Sequence, residues 1–249
     1  MGKILVLVLI CSNIFADVMY EMETSSEGYM GMGEDTILVR TFVKGDRMRT
    51  EIKTKNSLLG EMEQCIITRL DRGVAWILDK DRKEFSEIPL SADSGLSVSE
   101  EIGDSMPEIK IEKTDETKQI LDILCEKYIL MMKINSDNED LEIKQIMWLG
   151  KDFCGYDEIM MFKQKMLSSI AEPTIVGFNG KSIQELRKKI SDFDGFPMEI
   201  EINLTMQNQG LNMAFKTTSV VKKITTVPIS DRVFEIPENY KPSASQRSE

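Results

Sequence analysis

The chain has 249 residues with 31 basic and 42 acidic side chains, a formal net charge of −11, and no histidine. A charge of that sign opposes the phosphate neutralisation that drives nucleic-acid affinity, and it disfavours anionic membrane surfaces equally. Without histidine there is no Ser-His-Asp or Cys-His arrangement and no His-ligated metal, so only carboxylate, Lys or Tyr chemistry stays open.

Residues 1–16 have the order of a secretory signal peptide. Met1-Gly2-Lys3 is a short positive start, Ile4 to Ile10 an apolar run, and Ser12-Asn13-Ile14-Phe15-Ala16 a more polar exit closing on a small residue. The run is too short to span a bilayer. Cleavage after Ala16 is expected, starting the mature chain at Asp17. Losing Lys3, the only charge removed, takes the net charge from −11 to −12. The rival reading is a lipoprotein acylated at Cys11, but the preceding Ile10 is larger than the small residue that chemistry wants. No later segment reaches the ~20 apolar residues of a membrane span. A soluble periplasmic or secreted protein is expected.

Period-2 alternation then runs through the first half. Val18, Tyr20 and Met22 open strand one. Ile37 to Val43 turns at Gly45-Asp46 into Met48, Thr50 and Ile52, a hairpin signal. Met62 to Leu70 and Val74 to Asp79 are joined through Asp71-Arg72-Gly73, and Lys80-Asp81-Arg82 leads into Glu84 to Ile88. Residues 89–107, rich in Ser, Asp and Glu with Pro at both ends, predict a loop.

Strands resume at Ile109. Leu124 to Ile134 and Leu141 to Leu149 flank the polar turn Ser136 to Asp140, whose acids lack the spacing of a calcium loop. From Tyr156, the residues Ile159, Phe162, Met166 and Ile170 form one helical stripe, with Asp157 and Glu158 favourably placed in the first turn. Ser182 and Glu185 form a capping box for a second helix with Ile183, Leu186 and Ile190 inward. Met198 to Met206 alternates cleanly and turns at Asn208-Gln209-Gly210 into a strand through Leu211, Met213, Phe215 and Val221. A last short strand is expected at Phe234-Glu235-Ile236-Pro237, with a disordered polar tail over 242–249.

One apolar and one charged face mean a sheet wet on one side, whose dry side needs a cover. The expected fold is mainly β (α+β): a large curved antiparallel sheet of roughly eleven strands forming an unclosed half-barrel, with two helices across its concave face. It should occupy 17–241 as one domain. Cys125 and Cys154 bracket a predicted hairpin and are the first pair to test for a disulfide. Equally, Cys65, Cys125 and Cys154 can all be small buried hydrophobes.

The Asp17-Val18 start, Lys44-Gly45-Asp46-Arg47-Met48-Arg49, Cys125-Glu126-Lys127-Tyr128, Trp148-Leu149-Gly150-Lys151-Asp152, Gly195-Phe196-Pro197-Met198-Glu199, and Phe234-Glu235-Ile236-Pro237-Glu238-Asn239-Tyr240-Lys241 stand out as motifs. Together they resemble one bacterial exported family, that of domain of unknown function 4412. The family often has a Gly-containing turn where this chain has Leu121-Asp122-Ile123-Leu124. More remotely, the pattern is similar to periplasmic lipoprotein carriers (LolA-like half-barrels), which hold acyl chains inside an unclosed barrel. That likeness implies a fold and brings no catalytic residue.

Seventeen methionines, several alternating with Trp, Phe and Leu, suit either a core or a concavity for acyl chains. Candidate lining residues are Met22, Met48, Trp76, Met132, Trp148, Met206 and Phe215, with a lid helix carrying Ile159, Phe162 and Met166. Arg47 and Arg49 could receive an anionic head group or be solvated strand charges. No nucleophile–base pair, no G-x-x-x-x-G-K and no G-x-G-x-x-G run is present. The expected function is therefore non-enzymatic, without cofactor or metal: binding of a lipid or acyl ligand, or alternatively of an envelope protein's apolar segment.

Overall fold

A computed structural model describes residues 17–27, 35–56, 60–90, 108–135, 139–169, 193–208 and 211–243. The expected signal peptide, second helix and loop core at 91–107 lie outside the described residues, as does the tail beyond Ser243.

The chain is mainly β. Strands β1 (Val18–Glu27), β2 (Asp35–Lys44), β3 (Arg47–Asn56), β4 (Gly60–Arg69), β5 (Val74–Asp79) and β6 (Glu84–Pro89) form one meander. A second comprises β7 (Glu108–Ile120), β8 (Ile123–Asn135) and β9 (Glu139–Gly150), then helix α1 (Tyr156–Ser169), β10 (Phe196–Asn208) and β11 (Leu211–Thr226). With the two-residue β12 (Lys241–Pro242) they make a 12-stranded sheet in the order β12-β6-β5-β4-β3-β2-β1-β11-β10-β9-β8-β7. All pairings are antiparallel except β12 against β6. The β1–β11 pairing welds the two meanders into one sheet. Its ends, β12 and β7, do not meet, so the sheet is open.

Turn chemistry places the strands. Gly45 reverses the chain at φ +56° between β2 and β3, the left-handed conformation that glycine adopts without a Cβ penalty. The β7–β8 turn does the same without glycine. Leu121 and Asp122 stand at φ +51° and +62°, the positive-φ pair of a type I′ hairpin.

One expectation needs correcting, while α1 is the one α-helix among the described residues. The strand expected at 234–237 is a 3₁₀ turn, Asp231–Phe234, followed by a bend and irregular chain, and pairing occurs only further on at β12. Phe234 is fully buried there, so its apolar side chain anchors a crossing segment.

Successive side chains of a strand point to opposite faces, so the register sorts the sheet into two. Val18, Val43 and Val221 share the first, where Ile159 of α1 packs on them with Phe196 and Met198. Further along that face Phe193 stands edge-on to Tyr128, ring centroids 5.5 Å apart, over Met147. The opposite face carries Cys65, Ile67, Trp76 and Leu78, covered by Ile229, Phe234 and partly by Tyr240 from the C-terminal segment. Burying each such side chain is worth about 1.5–3 kcal/mol. The sheet is thus covered on both sides: by α1 on a helix face and by the C-terminal segment on a tail face.

Candidate ligand-binding face

α1 is fixed at both flanks. Gly155, at φ +92°, brings the chain against Val18 just before the helix, and Ile159 N–H donates to Gly155 O at 3.2 Å to close the first turn. Buried Glu158 accepts from Gly45 N–H, and Lys165 pairs with Asp46 at 2.5 Å. Helix and β2–β3 turn are therefore clamped together. Ile159 and Phe162 are buried and Met166 half-buried, as the stripe requires.

Register puts five of the seven expected lining residues on one side of the sheet, Met22 and Met48 towards its α1 end and Met132, Met206 and Phe215 towards the far end. Met22 opposes Val39, and Met48 opposes Val43. Met206 opposes Met213, and Phe215 opposes Leu204, which faces Ile143, itself opposite Met132. All lie on the helix face. Met22, Met48, Met132 and Met206 are half-buried, and Phe215 is 37% exposed. Tyr20 shares that face, where burial pushes its hydroxyl's pKa up against the opposing hydrogen bond with Thr41.

The register sets both tryptophans on the opposite side, although Trp148 still packs against the cluster of Val18, Ile159 and Met198. Trp76 opposes Ile67 and Glu87 on the tail face, its Nε1 donating to Glu87 Oε2 at 2.8 Å. Trp148 opposes Glu199 and Lys127, and the ammonium groups of Lys118 and Lys127 lie 4.6 and 5.7 Å from its ring. These are cation–π contacts on the charged side of the sheet. Arg47 and Arg49 are on the tail face too and already engaged, Arg47 with Asp231 at 3.3 Å and Arg49 with Glu51 at 2.8 Å and Val233 O at 3.2 Å. The Cys125–Cys154 pairing is not formed. Cys65 and Cys125 are buried free thiols whose pKa values burial raises, and Cys154 is an exposed one.

Sequence reading missed two features. One is an open groove of about 770 Å³ beyond the end of β5, floored by Ile52, Met62 and Ile77 and rimmed by charge, including Lys80 and Arg82. There Lys53 and Lys80 hold the Glu63 carboxyl down to about 2. The signal was the length mismatch between β4 and β5, which leaves Met62 61% exposed. The other is Lys163, inside the apolar stripe of α1 at i+4 from Ile159. Among the described residues no cluster of three or more His, Cys, Asp or Glu could hold a metal ion, and no helix is long and apolar enough to cross a membrane.

These features define an open, mainly antiparallel β-sheet protein with an apolar face partly covered by one helix. The model of the family described as domain of unknown function DUF4412 matches residues 19–240, and the chain belongs to that family. No curated protein sequence matches it. The remoter likeness is found as well: a Vibrio parahaemolyticus crystal structure, provisionally described as an outer membrane lipoprotein-sorting protein domain, overlaps 88% of this chain and 89% of its own. Identity is 10% and the TM-score 0.29, a superposition too loose to carry an argument about fold or ligand.

Proposed function

We propose that this is an exported binding protein that carries an apolar, acyl-type ligand non-covalently against the helix face of its sheet, with α1 as the lid. Export rests on the signal-like first sixteen residues. The carrier reading rests on one observation. Met22, Met48, Met132, Met206 and Phe215 share a single face by register and none of them is fully buried, whereas a satisfied core would hide them. Methionine adapts to irregular apolar partners. Burying an acyl chain of ~14 methylenes there would supply about 11 kcal/mol gross at ~0.8 kcal/mol each, enough to exceed ordinary ordering costs.

A second reading, capture of a partner protein's apolar segment, is favoured by the openness of the groove and the exposure of Met62. Expressing the protein through its own export route and analysing it by native mass spectrometry, with an organic extract in parallel, separates the two. A stoichiometric lipid or fatty acid supports carriage. A protein that stays empty after exposure to membrane extract sinks it and leaves the partner-protein reading.

A further inference from the structure

Helix positions four apart are about 40° apart round the axis, so Lys163 stands within the stripe that Ile159, Phe162 and Met166 press towards the sheet. It is half-buried, and among the described residues it has neither an ion pair nor a hydrogen bond. The other described lysines without an ion pair, Lys55, Lys83, Lys144 and Lys223, are exposed to solvent. The remaining charges of α1 do not compensate it. Glu158 and Lys165 are held by Gly45 and Asp46 at the β2–β3 turn, and Asp157 is exposed.

The face beneath offers no counter-charge either. Val18, Tyr20, Met22, Val39, Thr41 and Val43 form the helix face of β1 and β2, with Val221 beside them on β11. The one acid on that face of these three strands is Asp35, at the far tip of β2, where Asn56 Nδ2 donates to it at 2.7 Å. Desolvation alone lowers the Lys163 pKa, the mark of an ammonium taken partly out of water with nothing opposite it.

We propose that Lys163 is the head-group anchor of the ligand face and that the ligand is an amphiphile with one apolar chain and an anionic head. This rests on the carrier reading and narrows its ligand class. The chain would lie along the methionine-lined face, and the head would meet the ammonium under the edge of α1. A lysine is a compact point charge, so it accepts a carboxylate or a phosphate alike. A neutral or cationic head would leave the ammonium uncompensated.

Isothermal titration of the mature protein with dodecanoate, dodecyl phosphate, dodecanol and dodecylammonium tests this. The anionic probes should bind at least about tenfold more tightly than the other two, and the tighter of them names the head group. Lys163→Met, which keeps an apolar stem of similar length, should lose that tenfold and leave dodecanol affinity unchanged, while Lys163→Arg retains it. Removal of an unpaired, desolvated charge should leave the thermal midpoint of Lys163→Met at or above that of the parent, so lost binding is not lost folding. Equal binding of dodecanol and the anions by the parent protein, or anion binding by Lys163→Met as tight as the parent's, overturns the anchor while carriage stands. Failure of the parent to bind any of the four overturns both.

Discussion

Arg69 donates through Nη1 to Glu235 Oε1 at 2.6 Å, joining the end of β4 to the segment that follows the 3₁₀ turn. The same guanidinium holds both Asp71 oxygens, Nε to Oδ1 at 2.8 Å and Nη2 to Oδ2 at 2.7 Å. Only 6% of the Arg69 side chain is exposed, so the charge is nearly buried and depends on these partners. Two-pronged pairing of this kind is the strong form of ion pair. Asp71→Asn should cost about 1–2 kcal/mol, and Glu235→Gln less, because the fork on Asp71 would survive.

The pair also sets a pH dependence. The Arg69 guanidinium holds the Asp71 carboxyl below its ordinary value of 3.8. A depressed folded pKa means stability that is present above 3.8 and lost as pH falls through the folded value. Urea midpoints measured downward from pH 5 should fall more steeply in the parent than in Asp71→Asn. Equal slopes would show that this pair does not contribute to the acid limb.

Phe234 is the largest fully buried side chain of the molecule's described part, and it shares a cluster with Trp76. Phe234→Ala should cost about 3–5 kcal/mol, as a core aromatic truncation does. It should also shift the Trp76 emission to longer wavelength as the tail face loosens. An unshifted spectrum with an unchanged melting midpoint would mean that the C-terminal segment does not seal this face.

Gly155 is required by two independent constraints. Its φ of +92° is one L-residues rarely adopt, and a Cβ there would collide with Val18 Cγ2, on a fully buried, β-branched side chain. Gly155→Ala should therefore destabilise by about 2–4 kcal/mol in urea unfolding and displace the start of α1. A cost below about 0.5 kcal/mol, the scale of neutral surface substitutions, would contradict the packing of the helix on β1.

The thiols separate by burial. Cys154 should react with a thiol reagent in the native protein, whereas Cys65 and Cys125, buried and with raised pKa values, should react only on unfolding. Intact mass under non-reducing conditions should show three free thiols after residue 16. A mass two hydrogens lighter would reveal a bridge that the fold does not hold.

Strand positions were legible because alternation and turn residues are local signals. Gly45-Asp46 and Asp71-Arg72-Gly73 bound β3, β4 and β5 as their chemistry requires. Membership of a face was only half legible. Alternation says that Trp76 and Ile77 point opposite ways, but only pairing with Ile67 and Glu87 tells which way is which. Both faces of β5 are apolar, so bulk alone put Trp76 on the wrong one. Trp148 misled for another reason: its lysine partners come from β7 and β8 and meet it only across strands. The burial of Phe234 depends equally on a chain reversal from Thr226 back onto β3 and β4, which no local period announces. Lys163 was missed although the sequence carries its signal, a charge at i+4 from Ile159 inside the apolar stripe of α1.

The central claim is that one face of the sheet, and not the other, takes an apolar ligand. Titrating the neutral apolar dye N-phenyl-1-naphthylamine into the mature protein, into Met206→Gln and into Trp76→Leu tests it most directly. Met206 lies on the helix face and Trp76 on the tail face. Loss of one buried methionine contact, worth about 1.5–3 kcal/mol, predicts binding weaker by roughly tenfold or more in Met206→Gln, with Trp76→Leu within twofold of the parent. No dye binding by the parent, or equal loss in both variants, would contradict the account.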